Sequence, residues 1–198
     1  RYEKERRKII VYTSLQSLIE SEDIDESLWR DALSLFCCNK DEDITDFMRN
    51  KAIEYEKRDK CRTYVYFDEE YLEETGKLKV VAFFSLALKT IRIPVINTMS
   101  KTLQRKLGKL ADKDENIVAY LIGQLGRSSD YDKSVINGKK ILQDCYDLIG
   151  SARDIVGGRL ILIECKRIEK LCRFYENEGY IDITENGDDL KQYVRFMN

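Results

Sequence analysis

The chain contains no histidine. That absence removes the Ser-His-Asp triad, the Cys-His pair and every histidine metal site, so hydrolase and zinc-enzyme readings lose their usual parts. Apolar runs are short as well: none approaches the roughly 20 residues that a membrane-spanning helix needs. Arg1 to Lys8 leads into too short an apolar run for a signal peptide, and the chain begins without methionine, which allows for an upstream segment. Proline occurs once, at Pro94, and no repeat or low-complexity tract is visible. The six cysteines form no C-x-x-C pair. They are expected to be free, mostly buried thiols of a reducing cytoplasm, which is the expected location. Neither sign of charge dominates, with 34 basic against 36 acidic residues. Net charge alone therefore attracts neither nucleic acid nor an anionic membrane, and any such contact has to be a local patch.

What is present suffices for one good core: 198 residues, 43% of them hydrophobic. A single domain spanning 1–198 is expected, with extra helices within 14–58. Arg7 to Tyr12 reads as a first strand, and Ser14 starts a short helix through Leu18. A second helix runs from Glu26 to Phe36. From Asp41 to Arg58 acids open and bases close an apolar stripe, the charge order that the helix dipole prefers. Cys61 to Phe67 alternates as a half-buried strand and Lys79 to Leu88 is a nearly continuous apolar one, with Glu69 to Lys77 a charged turn region between them. Met99 to Leu110 has the spacing of a basic amphipathic helix. The remainder alternates strand and helix through Ile117–Leu125, Gly138–Val156, Arg159–Cys165, Arg167–Glu178 and Tyr180–Thr184. Leu190 to Met197 is expected to pair with Tyr180–Thr184 across Asn186-Gly187. The order implies an α/β fold, a mixed central sheet flanked by helices on both faces.

Two segments carry candidate chemistry. A strand reaching Gly123 and Gly126, a polar loop, and Gly138 opening an amphipathic helix make a device for holding a diphosphate, because backbone N–H groups and the positive helix end face the anion. An ordinary strand-to-helix turn is the alternative. Further on, Ile168, Leu171, Cys172 and Tyr175 lie on one helix face within a run that ends Arg173-Phe-Tyr-Glu-Asn-Glu-Gly-Tyr180, where Gly179 tolerates a left-handed turn.

The Arg173–Tyr180 run resembles the late "FY-x-x-x-G-[FY]" signature of the GNAT superfamily of acyl-CoA-dependent N-acetyltransferases. The loop resembles that superfamily's acyl-CoA motif. Aligned on Ile141-Leu142, Lys133 takes the Arg/Gln place, Ile136 the place of the first glycine and Gly138 the last, so two of three positions depart, and the loop from Arg127 to Val135 is longer than the motif's. The likeness covers Cys61 to Asn198 and is strongest after Ala119.

The resemblance implies a GNAT fold, acetyl-CoA as acyl donor without a metal, and direct transfer to a primary amine. It places the diphosphate against Lys133, Ile136, Asn137, Gly138 and Lys139, and the pantetheine arm along the main chain of Gln124, Leu125 and Gly126. Tyr175 becomes the general acid, although its stripe equally makes it a core residue. Glu164, at the end of its strand, is a candidate base, since the attacking amine must be neutral; an ion-paired surface role is equally open, and Glu169 and Glu178 are weaker rivals. Cys165 as an acyl-accepting nucleophile is disfavoured without a histidine to activate it. The first third is similar to toxin-type GNAT proteins, which acetylate aminoacyl-tRNA and are restrained by an antitoxin. A tRNA, an antitoxin and a homodimer are accordingly the partners to test, and Lys101 to Lys109 with Arg6-Arg7-Lys8 could touch phosphate or merely be solvated. The rival from another class is a non-catalytic GNAT-fold module that binds a protein or RNA.

Overall fold

The computed structural model describes residues 10–93, 99–185 and 187–197, with the side chains of residues 10 and 11 left aside. Arg6-Arg7-Lys8, the start of the first expected strand, Pro94 and Asn186 lie outside the described residues. In chain order the elements are β1 (Ile10–Ser14), α1 (Leu15–Glu20), α2 (Glu26–Ser34), α3 (Glu42–Asp46), a π-helical turn (Phe47–Lys51), α4 (Ala52–Lys57), β2 (Arg62–Asp68), α5 (Glu69–Thr75) and β3 (Val80–Arg92). There follow α6 (Lys101–Gly108), β4 (Asn116–Arg127), α7 (Gly138–Val156), β5 (Leu160–Cys165), α8 (Glu169–Asn177), β6 (Ile181–Asp182) and β7 (Lys191–Phe196). The strands hydrogen-bond in the order β1-β2-β3-β4-β5-β7-β6. β4 and β5 are parallel, while β1–β2, β2–β3, β5–β7 and β6–β7 are antiparallel. This is the mixed sheet that the sequence implies.

The chain divides into two compact units, Arg1–Leu86 with Gln124–Cys145, and Ala87–Gly123 with Tyr146–Asn198. In the first, strand alternation sends Phe83 and Phe84 of β3 to opposite faces. Phe83 meets Phe36 edge-on at 5.2 Å and stacks on Phe47 at 5.8 Å, so the segment just after α2 and the π-turn cover that face. Phe84 packs with Tyr12, Tyr64 and Tyr66 on the other. There the Tyr66 hydroxyl donates to the buried Asp144 of α7 at 2.6 Å, so helices lie on both faces. The second unit is built around Ile91, Leu103, Leu107, Ile117, Leu160, Leu162 and Val194, with α6 contributing its two buried leucines.

Four local expectations are corrected. Glu69–Lys77 is not a turn: the Asp68 carboxylate caps Tyr71 N–H at 3.0 Å, Glu69 and Glu70 sit at the positive helix end, and Gly76 N–H closes the helix on the Leu72 carbonyl. β3 runs on to Arg92, past Ser85, where its unbroken burial ends and the apolar run that marked it in the sequence gives way to more exposed residues. The stripe from Asp41 to Arg58 is interrupted by a π-turn, where one extra residue per turn rotates the faces that follow. Tyr180–Thr184 contributes only Ile181 and Asp182 as strand, paired with Val194 and Tyr193 of β7. Gly179 does take the left-handed conformation, with φ 83°. All six cysteines are free thiols. Among the described residues no helix is long and apolar enough to cross a membrane.

Candidate active site

The acyl-CoA candidates all belong to the first unit. Gln124 and Leu125 are half-buried near the end of β4. Gly126 is buried for a packing reason that its sequence neighbours hide, since a Cβ there would stand 2.4 Å from Ile44 Cγ2 and 3.2 Å from Phe83 Cε1. Ile136, in the place of a motif glycine, is buried, and its carbonyl accepts from the Arg127 guanidinium at 3.0 Å. Asn137 is the cap of α7: its Oδ1 accepts the Lys140 N–H at 3.0 Å and its carbonyl accepts the Ile141 N–H at 3.2 Å. Gly138 is the first helical residue, and Lys133 and Lys139 are exposed around it. Lys140 ties the same turn down through Asp144 at 2.5 Å. A helix start with exposed ammonium groups beside it suits a dianionic diphosphate, so the residues present fit a CoA nucleotide.

The catalytic candidates lie in the second unit. Tyr175 is 5% exposed on α8, with its ring edge-on to Tyr180 at 5.8 Å and tilted against Tyr193 at 6.2 Å. The Tyr193 hydroxyl donates to Glu176 at 3.0 Å, and its acidity is suppressed first by burial and then by hydrogen bonding to Cys172 and Glu176. Tyr146 donates to Tyr180 at 3.2 Å, while the Arg195 guanidinium lies 4.5 Å from the Tyr146 ring centroid. Tyr175 thus sits among phenols.

Glu164 is engaged through both oxygens. Oε2 accepts from Lys89 at 2.6 Å and Oε1 from Gln192 at 2.9 Å. Neither partner was visible from spacing, because both reach Glu164 from other strands. Glu169 pairs with Arg173 on the exposed side of α8. Burial, with Cys172 nearby, pushes the Cys165 thiol up to about 12, which removes most of its thiolate at neutral pH.

One feature escaped the sequence reading altogether. In the first unit a concavity of about 450 Å³ is lined by Arg30, Arg49, Asn50, Ile53, Glu54, Lys57 and Arg58. Arg49 is anchored through Nε to the Phe36 carbonyl at 2.6 Å, and Arg58 pairs with Glu54 at 3.0 Å. Four cations line it, Arg58 paired with Glu54 and Arg30 paired at 2.5 Å with Glu26 beside the lining, so its positive charge, in a chain whose formal net charge is −2, rests on Arg49 and Lys57.

No family model matches the chain, and no curated protein matches its sequence. Solved structures do match, and they show that the architecture is the GNAT fold. The AtaT toxin complexed with acetyl-methionyl-tRNAfMet is 17% identical with TM-score 0.67, over 93% of this chain and 94% of that one. A tyrosine-to-phenylalanine variant of AtaT, bound to the C-terminus of the antitoxin AtaR and to acetyl-CoA, is 15% identical with TM-score 0.65, over 94% and 92%. A tyrosine-to-phenylalanine variant of KacT is 15% identical with TM-score 0.68, over 93% and 94%. At these identities the likeness establishes the fold.

Proposed function

We propose that this chain is an acetyl-CoA-dependent N-acetyltransferase that moves an acetyl group directly to a primary amine, working as one domain over residues 1–198. The observation that carries the reading is the start of α7, where Asn137 caps the helix, Gly138 opens it and exposed Lys133 and Lys139 flank it. The likeness to an acetyl-CoA-bound toxin along nearly the whole of both chains supports it.

Bound acetyl-CoA supplies the activated thioester. The chain's residues then have separable tasks. Main chain at Lys133 to Lys139 holds the diphosphate, with Ile136 contributing only backbone because its side chain is buried. Main chain at Gln124 to Gly126 orients the pantetheine arm, and the amide near Leu125 polarises the thioester carbonyl. Tyr175 donates its hydroxyl proton to the departing thiolate. Glu164 has the weaker claim as base, since each of its oxygens already accepts a hydrogen bond, from Lys89 and from Gln192.

For the acceptor we propose an amine carried on RNA, as on aminoacyl-tRNA. The basic concavity of Arg30, Arg49, Lys57 and Arg58 supports this, because phosphate backbones are bound by such local cation clusters. An antitoxin would be the restraining partner. The second reading, a non-catalytic binding module, is favoured by one observation, the side chain at Ile136 where the motif has glycine. Titration with acetyl-CoA tests the choice: saturable binding supports the enzyme, and none up to millimolar concentration supports the module.

A further inference from the structure

The connection between β4 and α7, residues 128–137, contains no glycine. Its path is set by side chains instead. Tyr131 and Ile136 are buried, and the tip between them, Asp132 to Ser134, is exposed. The Tyr131 hydroxyl donates to Asp68 Oδ2 at 2.9 Å, while Asp68, 3% exposed, uses Oδ1 to cap α5. The Lys79 ammonium lies 5.5 Å from the ring centroids of both Tyr71 and Tyr131 and 2.9 Å from the Asp130 carboxylate. Ahead of Tyr131, Ser128 N–H donates to the Val81 carbonyl and Ser129 N–H to that of Cys37, each at 2.8 Å. Behind it, Arg127 closes the base on Ile136. At the tip, Asp132 Oδ1 accepts both the N–H and the hydroxyl of Ser134, at 2.7 and 2.5 Å, which turns the chain on either side of Lys133.

We infer that Tyr131 and Asp68 form a latch that fixes the β4–α7 loop so that Lys133 is presented to the diphosphate of a CoA-type nucleotide. This rests on the acetyl-CoA reading above. A loop held in its binding conformation by the fold loses less freedom when ligand arrives, so the latch raises affinity without the two residues acting on the reacting atoms. They are positioning residues. Burial, and then the bond to Asp68, hold the Tyr131 hydroxyl well above its ordinary pKa, so it remains a donor throughout the neutral range. A hydrogen bond to a carboxylate is also stronger than a neutral one, which suits a latch.

The test is a set of acetyl-CoA dissociation constants measured on the full chain. Tyr131→Phe keeps the buried ring and is expected to weaken binding roughly three- to tenfold. Lys79→Met loosens the latch from outside and should act in the same direction. Asp68→Asn retains a hydrogen bond with its sense reversed but loses the carboxylate's charge, and should weaken binding in the same direction by less than Tyr131→Phe does. The deciding comparison is Tyr131→Phe in a Lys133→Ala background: if the latch acts through Lys133, its effect there shrinks to under about twofold, whereas general damage to the fold would add in full. Additive effects, or wild-type affinity in Tyr131→Phe, overturn the latch while leaving the acetyl-CoA reading intact. A wild-type chain that binds no acetyl-CoA removes both.

Discussion

At Tyr175 a packing role and a chemical role predict different kinetics. Tyr175→Phe preserves the ring against Tyr180 and Tyr193, so a purely structural side chain leaves turnover unchanged. As general acid, its loss should slow turnover by about 10² to 10⁴ with acetyl-CoA affinity near normal, readable as a fall in kcat without a rise in Kd. The packing role was legible in the stripe that carries Leu171 and Tyr175, whereas the chemical role is what the resemblance of the Arg173–Tyr180 run to the GNAT signature implies. Gly126 is the opposite case. Its glycine suggested close approach of a ligand, but the structure puts Ile44 and Phe83 there, neighbours distant in sequence and invisible to any local pattern. Gly126→Ala should destabilise the fold by about 1–3 kcal/mol in denaturant melts. Adding Ile44→Ala should recover part of that loss, and strict additivity would contradict the contact.

Among the elements, α7 was legible from its first residue to its last, because Gly138 and Gly157-Gly158 bracket an uninterrupted apolar stripe. Gly138→Val is expected to weaken acetyl-CoA binding more than it lowers stability, and normal binding would move the ligand off this helix end. α5 was obscured because its charged composition matches a turn, and only the Asp68 cap distinguishes the two. The π-turn was obscured because a 3.6-residue period does not register one inserted residue; Arg49, Ile53 and Lys57, and Asn50 and Arg58, line the basic concavity at multiples of four residues. Lys57→Glu with Arg58→Glu should weaken RNA binding and reduce its salt slope by about 1 per lost phosphate contact, leaving acetyl-CoA affinity unchanged. An unchanged salt slope would take the RNA off this surface.

For the whole molecule, a formal charge of −2 says little about partners, because a local patch such as the concavity of Arg30, Arg49, Lys57 and Arg58 can differ from it. A mixed sheet was implied by the alternation of elements, whereas the strand order, with β7 between β5 and β6, came only with the pairing, Glu164 facing Gln192. That same pairing supplies one of the two contacts holding the candidate base, so part of the site's chemistry is a consequence of topology. A single-domain chain should unfold in one calorimetric transition, and two separated transitions would contradict that organisation. The central proposal is tested most directly by thermal melting of the full chain with and without acetyl-CoA. Near 100 times the dissociation constant, binding to the native state alone should add about 2.7 kcal/mol, a rise in Tm of roughly 5–10 °C. A melting temperature unmoved by saturating acetyl-CoA, with desulfo-CoA equally silent, would contradict it.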